Sequence, residues 1–124
     1  MAAITLDTGA LIGLERRHAR VVSLVRHATL YERRMTAPAA VIAEWWRGRT
    51  DVRVTMLEMF DVEPLDVELA RLAGDAIAAV RGATVVDAIV MASASRRGDV
   101  VYTSDVDDLM RLQRFFPTTR VVAI

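Results

Sequence analysis

Five carboxylates stand where acidic side chains can do chemistry. Asp7 directly follows the apolar run Ile4-Thr5-Leu6, and Asp105 follows Val100-Val101-Tyr102 by way of Thr103 and Ser104. In open α/β sheets ligands bind beyond the carboxyl ends of the strands, so an acid at such a junction is well placed. Glu44 shares a helical face with Val41 and Trp45, since residues three and four apart are neighbours on a helix. Asp87 lies inside the apolar stretch Ala83–Ala94, and Asp108 is one turn beyond Asp105. Each has an ordinary structural explanation as well. Asp7 and Asp105 suit helix N-caps, and Thr84 with Asp87 three residues on suits a capping box. Glu44 suits a solvated stripe edge, and Asp107 is expected in solvent.

Gathered on one edge, such acids repel and raise one another's pKa, and they coexist mainly when a cation binds them. Oxygen ligands without cysteine or a nearby histidine suit Mg²⁺ or Mn²⁺ over Zn²⁺. A hard dication with open positions for water suits attack on a phosphodiester. A glycosidase needs only one acidic pair, and here four or five acids are available.

The elements that must position them follow from periodicity and punctuation. Ile4–Leu6 reads as a buried strand and Thr8 opens a helix. Val21, Leu24, Val25 and Ala28 give an amphipathic stripe. Met35–Ala37 is a short strand, with Pro38 at the first position of a helix running to Arg47 and ended by Gly48. Asp51 caps the next helix. Phe60, Val62 and Leu65 suggest a strand, with Pro64 marking an edge or an end. Asp66 opens a helix with the stripe Leu69, Leu72, Ala73, Ala76, Ile77 and Val80, which Gly82 stops. A buried helix spans 83–97 and ends at Gly98. Val100–Tyr102 is a strand, Leu109, Met110 and Leu112 begin a short helix, and residues 120–124 form a last strand. Strands alternating with helices imply a mostly parallel sheet covered on both faces, an α/β protein. Right-handed crossovers put the strand ends on one edge.

The bulk numbers narrow the classes. At 124 residues the chain is read as one domain, 1–124, with 53% hydrophobic and 26% charged residues, a soluble globular composition. No cysteine means no disulfide, thiolate metal site or cysteine nucleophile. Residues 1–14 lack a basic leading region and carry Asp7, so no signal peptide is expected. No membrane span is expected either, and a cytoplasmic protein is the default. Net charge is zero, against a generic polycation for nucleic acid. All sixteen basic residues are Arg. Codon bias accounts for this, but the absence of Lys removes P-loop and receiver-type chemistries. His18 and His27 lie near no acidic cluster and read as solvated surface.

The chain resembles a PIN domain, by its size the VapC type of toxin ribonuclease. ITLDTGALIGL is similar to that family's first strand with its first Asp. TAPAAVIAEWWRG looks like its Pro-led helix bearing the catalytic Glu. ATVVDAIVMASA looks like its third acid ahead of a small-residue helix, and VYTSDVDDL like its strand ending in Thr-Ser-Asp with a further acid behind. The resemblance covers nearly the whole chain. It implies a three-layer α/β/α fold, a five-stranded sheet in the order 3-2-1-4-5, and a Mg²⁺- or Mn²⁺-dependent endoribonuclease. Carried over, Asp7, Glu44, Asp87 and Asp105 are the catalytic, metal-binding acids. Asp108 is an auxiliary ligand, and Thr8, Thr103 or Ser104 orient a water or a phosphate oxygen. It further implies an RNA substrate (tRNA, rRNA or mRNA), a cognate antitoxin protein and a homodimer. Trp45 and Trp46 point about 100° apart on a helix, and aromatics are enriched in interface cores, so one of the two is expected at a dimer or antitoxin contact, the alternative being that both pack in the core. Arg16, Arg17, Arg47, Arg49, Arg96 and Arg97 are candidates for the RNA groove. The competing functions are a housekeeping PIN-type nuclease without an antitoxin, and a non-catalytic metal- or RNA-binding module.

Overall fold

Strand β1, Ile4–Leu6, is buried along its whole length, and everything else is built around it. Its chain continues into α1 (Thr8–Glu15) and α2 (Ala19–Leu30), then β2 (Met35–Pro38), α3 (Ala39–Trp46), α4 (Asp51–Leu57) and β3 (Asp61–Glu63). There follow α5 (Val67–Ala79), α6 (Val85–Arg97), β4 (Val100–Thr103), α7 (Val106–Leu112) and β5 (Arg120–Ala123). This computed structural model describes residues 2–124; Met1, the first residue of the apolar leading segment, lies outside the described residues.

All four strand pairings are parallel, and the order is β3-β2-β1-β4-β5. The expected sheet is therefore the one observed. From β1 the chain moves one way through β2 to β3, then crosses back to β4 and β5. Right-handed crossovers place the helices of these two halves on opposite faces, giving three layers. The reversal makes the β1–β4 edge the topological switch point, where such sheets bind ligands. Register fixes what meets there: Leu6 pairs with Tyr102, so Asp7 and Thr103 leave the sheet side by side.

The core is a single cluster of aliphatic residues with Trp45, Phe60 and Phe116. Helix α6 is its central element, with Ala88 through Ala94 all buried. Three alanines and a serine in that stretch let α5 approach closely through Leu69, Ala73 and Ala76. A polar network fastens the far end of α6. The Arg97 guanidinium donates to Asp99 Oδ2 at 2.9 Å, to Thr5 Oγ1 at 2.9 Å and to Glu63, while Thr5 donates to Asp99 at 2.8 Å. Another charged node joins α1, α3 and α4. Glu15 accepts from Trp45 Nε1 at 2.9 Å and from two nitrogens of Arg53 at 3.2 Å.

Several punctuation marks act one residue from their expected place. Pro38 is the last residue of β2 and precedes α3 in extended conformation, ψ 148°, instead of opening the helix. Its pairing with Glu63 keeps it in the sheet. Thr50 caps α4 by accepting from Arg53 N at 3.1 Å, so Asp51 is the first helical residue and not the cap. Arg47, at φ 44°, takes the left-handed turn after α3 just before Gly48. β3 is only three residues long, with Val62 and Leu65 exposed, because it is the sheet's edge. Thr103 extends β4 by one residue, and α7 begins at Val106, three residues before the expected Leu109. Among the described residues no helix is long and apolar enough to cross a membrane.

Candidate functional site: an acidic edge at the strand switch point

Asp7 is 6% exposed, at the end of the central strand. Its Oδ1 accepts from Ala10 N at 2.8 Å, capping α1, and the Thr103 hydroxyl lies near enough to the carboxylate to favour its charge. The cap and the functional placement thus coexist in one side chain. Burial pushes the Asp7 pKa up; the Thr103 hydroxyl and the Ala10 N–H pull against that, and the charges of Asp87 and Asp105 add to the rise. Gly9 is required here by close approach. A Cβ on it would come within 2.2 Å of Ser104 Oγ, so the first turn of α1 rests directly on the exit of β4.

Glu44 is exposed, while Val41 and Trp45 are buried. The acid therefore stands on the rim of α3 and not on its inward face. It is nonetheless held, because Thr8 Oγ1 donates to Glu44 Oε1 at 2.6 Å. Asp87 sits in the first turn of α6, where its backbone N–H donates to the cap residue Thr84 at 3.2 Å. Burial raises its pKa; the Thr84 hydroxyl opposes this, and Asp108 and Glu44 raise it further.

Asp105 occupies the N-cap position of α7, yet its carboxylate makes no capping bond. Its backbone N–H donates to Thr103 Oγ1 at 2.8 Å. Its pKa is raised, chiefly by the hydrogen-bonded carboxyl of Asp108, then by burial, Asp108's charge, Asp87 and Asp107. Asp108 also receives Arg111 Nη2 at 3.2 Å. Asp107 is exposed, as expected.

These mutual effects link all five acids. Asp7 feels Asp87 and Asp105; Asp87 feels Glu44 and Asp108; Asp105 feels Asp87 and Asp108. The structure thus brings Asp7, Glu44, Asp87, Asp105 and Asp108 to one edge, with Arg111 as the one cation bonded to any of their carboxylates among the described residues. Thr8 joins them as a donor to Glu44, and Thr103 as the acceptor of the Asp105 N–H beside Asp7. Ser104 does not: it turns to the α1–α2 side, lining a small cleft with Gly9, Gly13 and His18. Among the described residues no three acids or histidines are drawn close enough to enclose a metal ion as they stand. The donor set still fits Mg²⁺, which takes oxygen ligands, keeps several waters and uses one or two carboxylates directly.

The basic residues divide differently from expectation. Arg96 and Arg97 lie at the opposite end of α6 from Asp87 and are tied to Glu63, Asp66 and Asp99. They serve the scaffold. Arg47 turns back to the Glu44 carbonyl at 3.2 Å, and Arg17 lines a separate apolar groove. That groove, about 520 Å³, runs between α2 and α4 and is lined by Leu14, Val22, Val25, Val52, Met56 and Met59. It contains none of the five acids. Trp45 is in the core, and Trp46 is half-buried against it. The sequence gives no local signal for the partners of Thr103 and Thr8, since both are set by contacts across the fold. Nor does it single out Arg81, Arg111 and Arg114, which line a common cleft next to the acids.

No family model matches the sequence. No curated protein matches it either. Solved structures do match, over nearly the full length. VapBC2 from Rickettsia felis, bound to a DNA fragment from its promoter, is similar at a TM-score of 0.78 with 10% identity, covering 98% of both chains. The DNA-bound VapBC of Salmonella typhimurium is similar at 0.74 with 18% identity, covering 99% of this chain and 98% of that one. FitAcB from Neisseria gonorrhoeae is similar at 0.68 with 18% identity, covering 95% of both. At such identities the likeness is one of fold. The protein has a PIN-like α/β fold, five parallel strands in the order 3-2-1-4-5, shared along nearly its whole length with a chain from each of these complexes.

Proposed function

We propose that the protein is the toxin half of a toxin–antitoxin pair, an endoribonuclease that hydrolyses RNA phosphodiester bonds with Mg²⁺ or Mn²⁺. The observation that carries this is the acidic edge: Asp7, Asp87 and Asp105 have pKa values raised by burial and by neighbouring acids, Glu44 and Asp108 among those neighbours, with Arg111 alone bonded in opposition. Such an arrangement is costly without a cation. The likeness to VapBC and FitAcB chains supports the toxin assignment.

Asp7, Asp87 and Asp105, with Glu44 and Asp108 at the margin, are the residues assigned to hold the dication. When bound, it would lower the pKa of an attacking water and neutralise charge building on the phosphate. The chain's own residues supply position. Asp7 is held by the Ala10 N–H at 2.8 Å, which orients its carboxylate. Thr8 occupies Oε1 of Glu44, leaving Oε2 to accept a proton from water. Asp87 is oriented by Thr84 at the start of a helix whose far end is locked. The antitoxin is assigned to the apolar groove between α2 and α4. Val52 and Met59 lie exposed there, 54% and 42%, and an amphipathic helix would cover them.

The test is cleavage of structured tRNA and rRNA by the purified chain, free of partner. Cleavage with Mg²⁺ or Mn²⁺ that disappears in EDTA and in Asp7→Asn is expected. Cleavage of equal rate in EDTA, or in Asp7→Asn, would overturn the proposal.

A further inference from the structure

The turn between α5 and α6 faces α7 across a cleft of about 400 Å³, within the range of small-ligand sites. Its walls are Ala79, Val80, Arg81, Arg111, Arg114 and Phe115. Three guanidinium groups therefore share one depression, and no acid lines it. Among the described residues Arg81 and Arg114 make no ion pair; Arg111 reaches Asp108 at 3.2 Å with one nitrogen. Two unpaired guanidinium groups beside a third favour an anion between them.

The backbone is shaped to leave the opening. Gly82 follows Arg81 at φ +83°, and a Cβ there would stand 3.1 Å from Arg111 Nη1. The tight left-handed turn thus passes directly beneath the guanidinium. Phe115, half-buried and edge-on to Phe116 at 5.0 Å, forms the remaining wall. Guanidinium groups bind phosphate in bidentate fashion, and aromatic rings stack unpaired bases of single-stranded RNA. Both chemistries are present in one cleft. Arg111 joins it to the acidic edge, because the same side chain that lines the cleft bonds Asp108.

We propose that Arg81, Arg111, Arg114 and Phe115 form a subsite for single-stranded RNA, which seats a phosphate flanking the scissile one and stacks its base. The subsite rests on the nuclease assignment for its meaning but not for its binding chemistry. Phosphate is favoured over an acidic protein segment because the cleft offers an aromatic wall beside the cations and adjoins the proposed hydrolytic edge. The basic cleft then adjoins the acidic edge through the Arg111–Asp108 pair. It lets one strand be anchored by its backbone while its neighbouring phosphate meets the carboxylates only in the presence of a dication.

The test uses the full chain in EDTA, so that binding is read without cleavage. A fluorescein-labelled single-stranded RNA is titrated by anisotropy with the wild type, with Arg81→Ala/Arg114→Ala, and with Arg20→Ala/Arg71→Ala as a control of equal charge change elsewhere. Melting temperatures check that each variant is folded. The cleft variant is expected to bind about tenfold or more weakly. Its slope of log affinity against log salt should fall by about 0.7, the value for one phosphate on a single strand. The control pair should change little. Affinity and slope equal to the wild type, or a loss matched by the control pair, would overturn the subsite. So would unaltered RNA binding with lost binding of a labelled polyglutamate peptide, which would assign the cleft to a protein partner. Cleavage with Mn²⁺ is measured alongside. Weakened RNA binding with no cleavage by any form retains the subsite and removes the nuclease; wild-type cleavage with undiminished RNA binding by the cleft variant does the reverse.

Discussion

Asp7 does two things that pull its stability in opposite directions. As a cap it satisfies Ala10 N; as a buried charge it faces Asp87 and Asp105. Asn keeps an oxygen for the cap and removes the charge. In EDTA, Asp7→Asn is therefore expected to melt higher than the wild type, by about 1 kcal/mol or about 3–6 °C. Asp7→Ala also loses the cap and should fall about 1 kcal/mol below Asp7→Asn. Differential scanning fluorimetry of the three proteins checks the order; an Asn variant less stable than the wild type would contradict it. The positions of Asp7, Asp87 and Asp105 were legible because each follows a strand or sits in a helix's first turn. The exposure of Glu44 agrees with the solvated stripe edge its spacing suited, although a one-residue rotation on a short helix decides whether such a side chain faces core or rim. Thr103 was only one of three candidates for positioning. Its closeness to Asp7 depends on β1 and β4 being neighbours in a fixed register.

Helix α6 is anchored at both ends, and each end has its own energetic weight. At the start, Thr84 caps the turn that carries Asp87. Thr84→Ala should cost about 1 kcal/mol and loosen Asp87, so activity should fall more than stability. At the other end, Asp99 is 3% exposed and holds both Arg97 and Thr5. Removing it leaves a largely buried guanidinium with an incomplete partner set. Asp99→Ala should destabilise by about 3 kcal/mol, read as a lower urea midpoint. A change under about 1 kcal/mol would show that the network is dispensable. Elements of strong periodicity, such as α2 and α5, could be drawn from sequence with their buried stripes, because spacing alone dictates which side is apolar. Arg96 and Arg97 could not be placed: an arginine pair at a helix end reads the same whether it meets solvent, RNA or a buried Asp. The shift of the cap from Asp51 to Thr50 has a similar cause, as two adjacent capping residues compete and only backbone geometry chooses between them.

Over the whole molecule, two sets of acidic residues have opposite pH behaviour. Asp7, Asp87 and Asp105 have raised pKa values, so the native state holds protons that the unfolded chain has already released. The metal-free protein should therefore gain stability as pH falls from about 7.5 towards those raised values, and lose it again as pH rises through them. Glu15, held low first by its bond from Arg53, and Asp66, held low first by the Leu69 N–H, act the other way. Their stabilisation is complete above the ordinary carboxylate values and is lost as pH drops below about 4 through their lowered ones. Melting in EDTA should thus pass through a maximum on the mildly acidic side of neutrality. Saturating Mg²⁺ should raise the melting point at neutral pH and erase that gain. A steady decline from neutral to acid in EDTA would contradict the electrostatic picture. The architecture at this scale was open to sequence reasoning, since alternating strands and helices with acids after strands admit few arrangements. The basic cleft and the apolar groove were not, because each is assembled from elements far apart in the chain.

The central claim is that the acidic edge is a site for a divalent cation. Calorimetric titration of Mn²⁺ into the RNA-free protein tests it most directly, beside Asp7→Asn/Asp105→Asn. Saturable binding is expected, with protons released because carboxyls of raised pKa must ionise to bind. The double variant should bind at least about tenfold more weakly, equivalent to about 1.4 kcal/mol. Absence of Mn²⁺ binding by the wild type, or equal affinity and proton release in the double variant, would contradict the account.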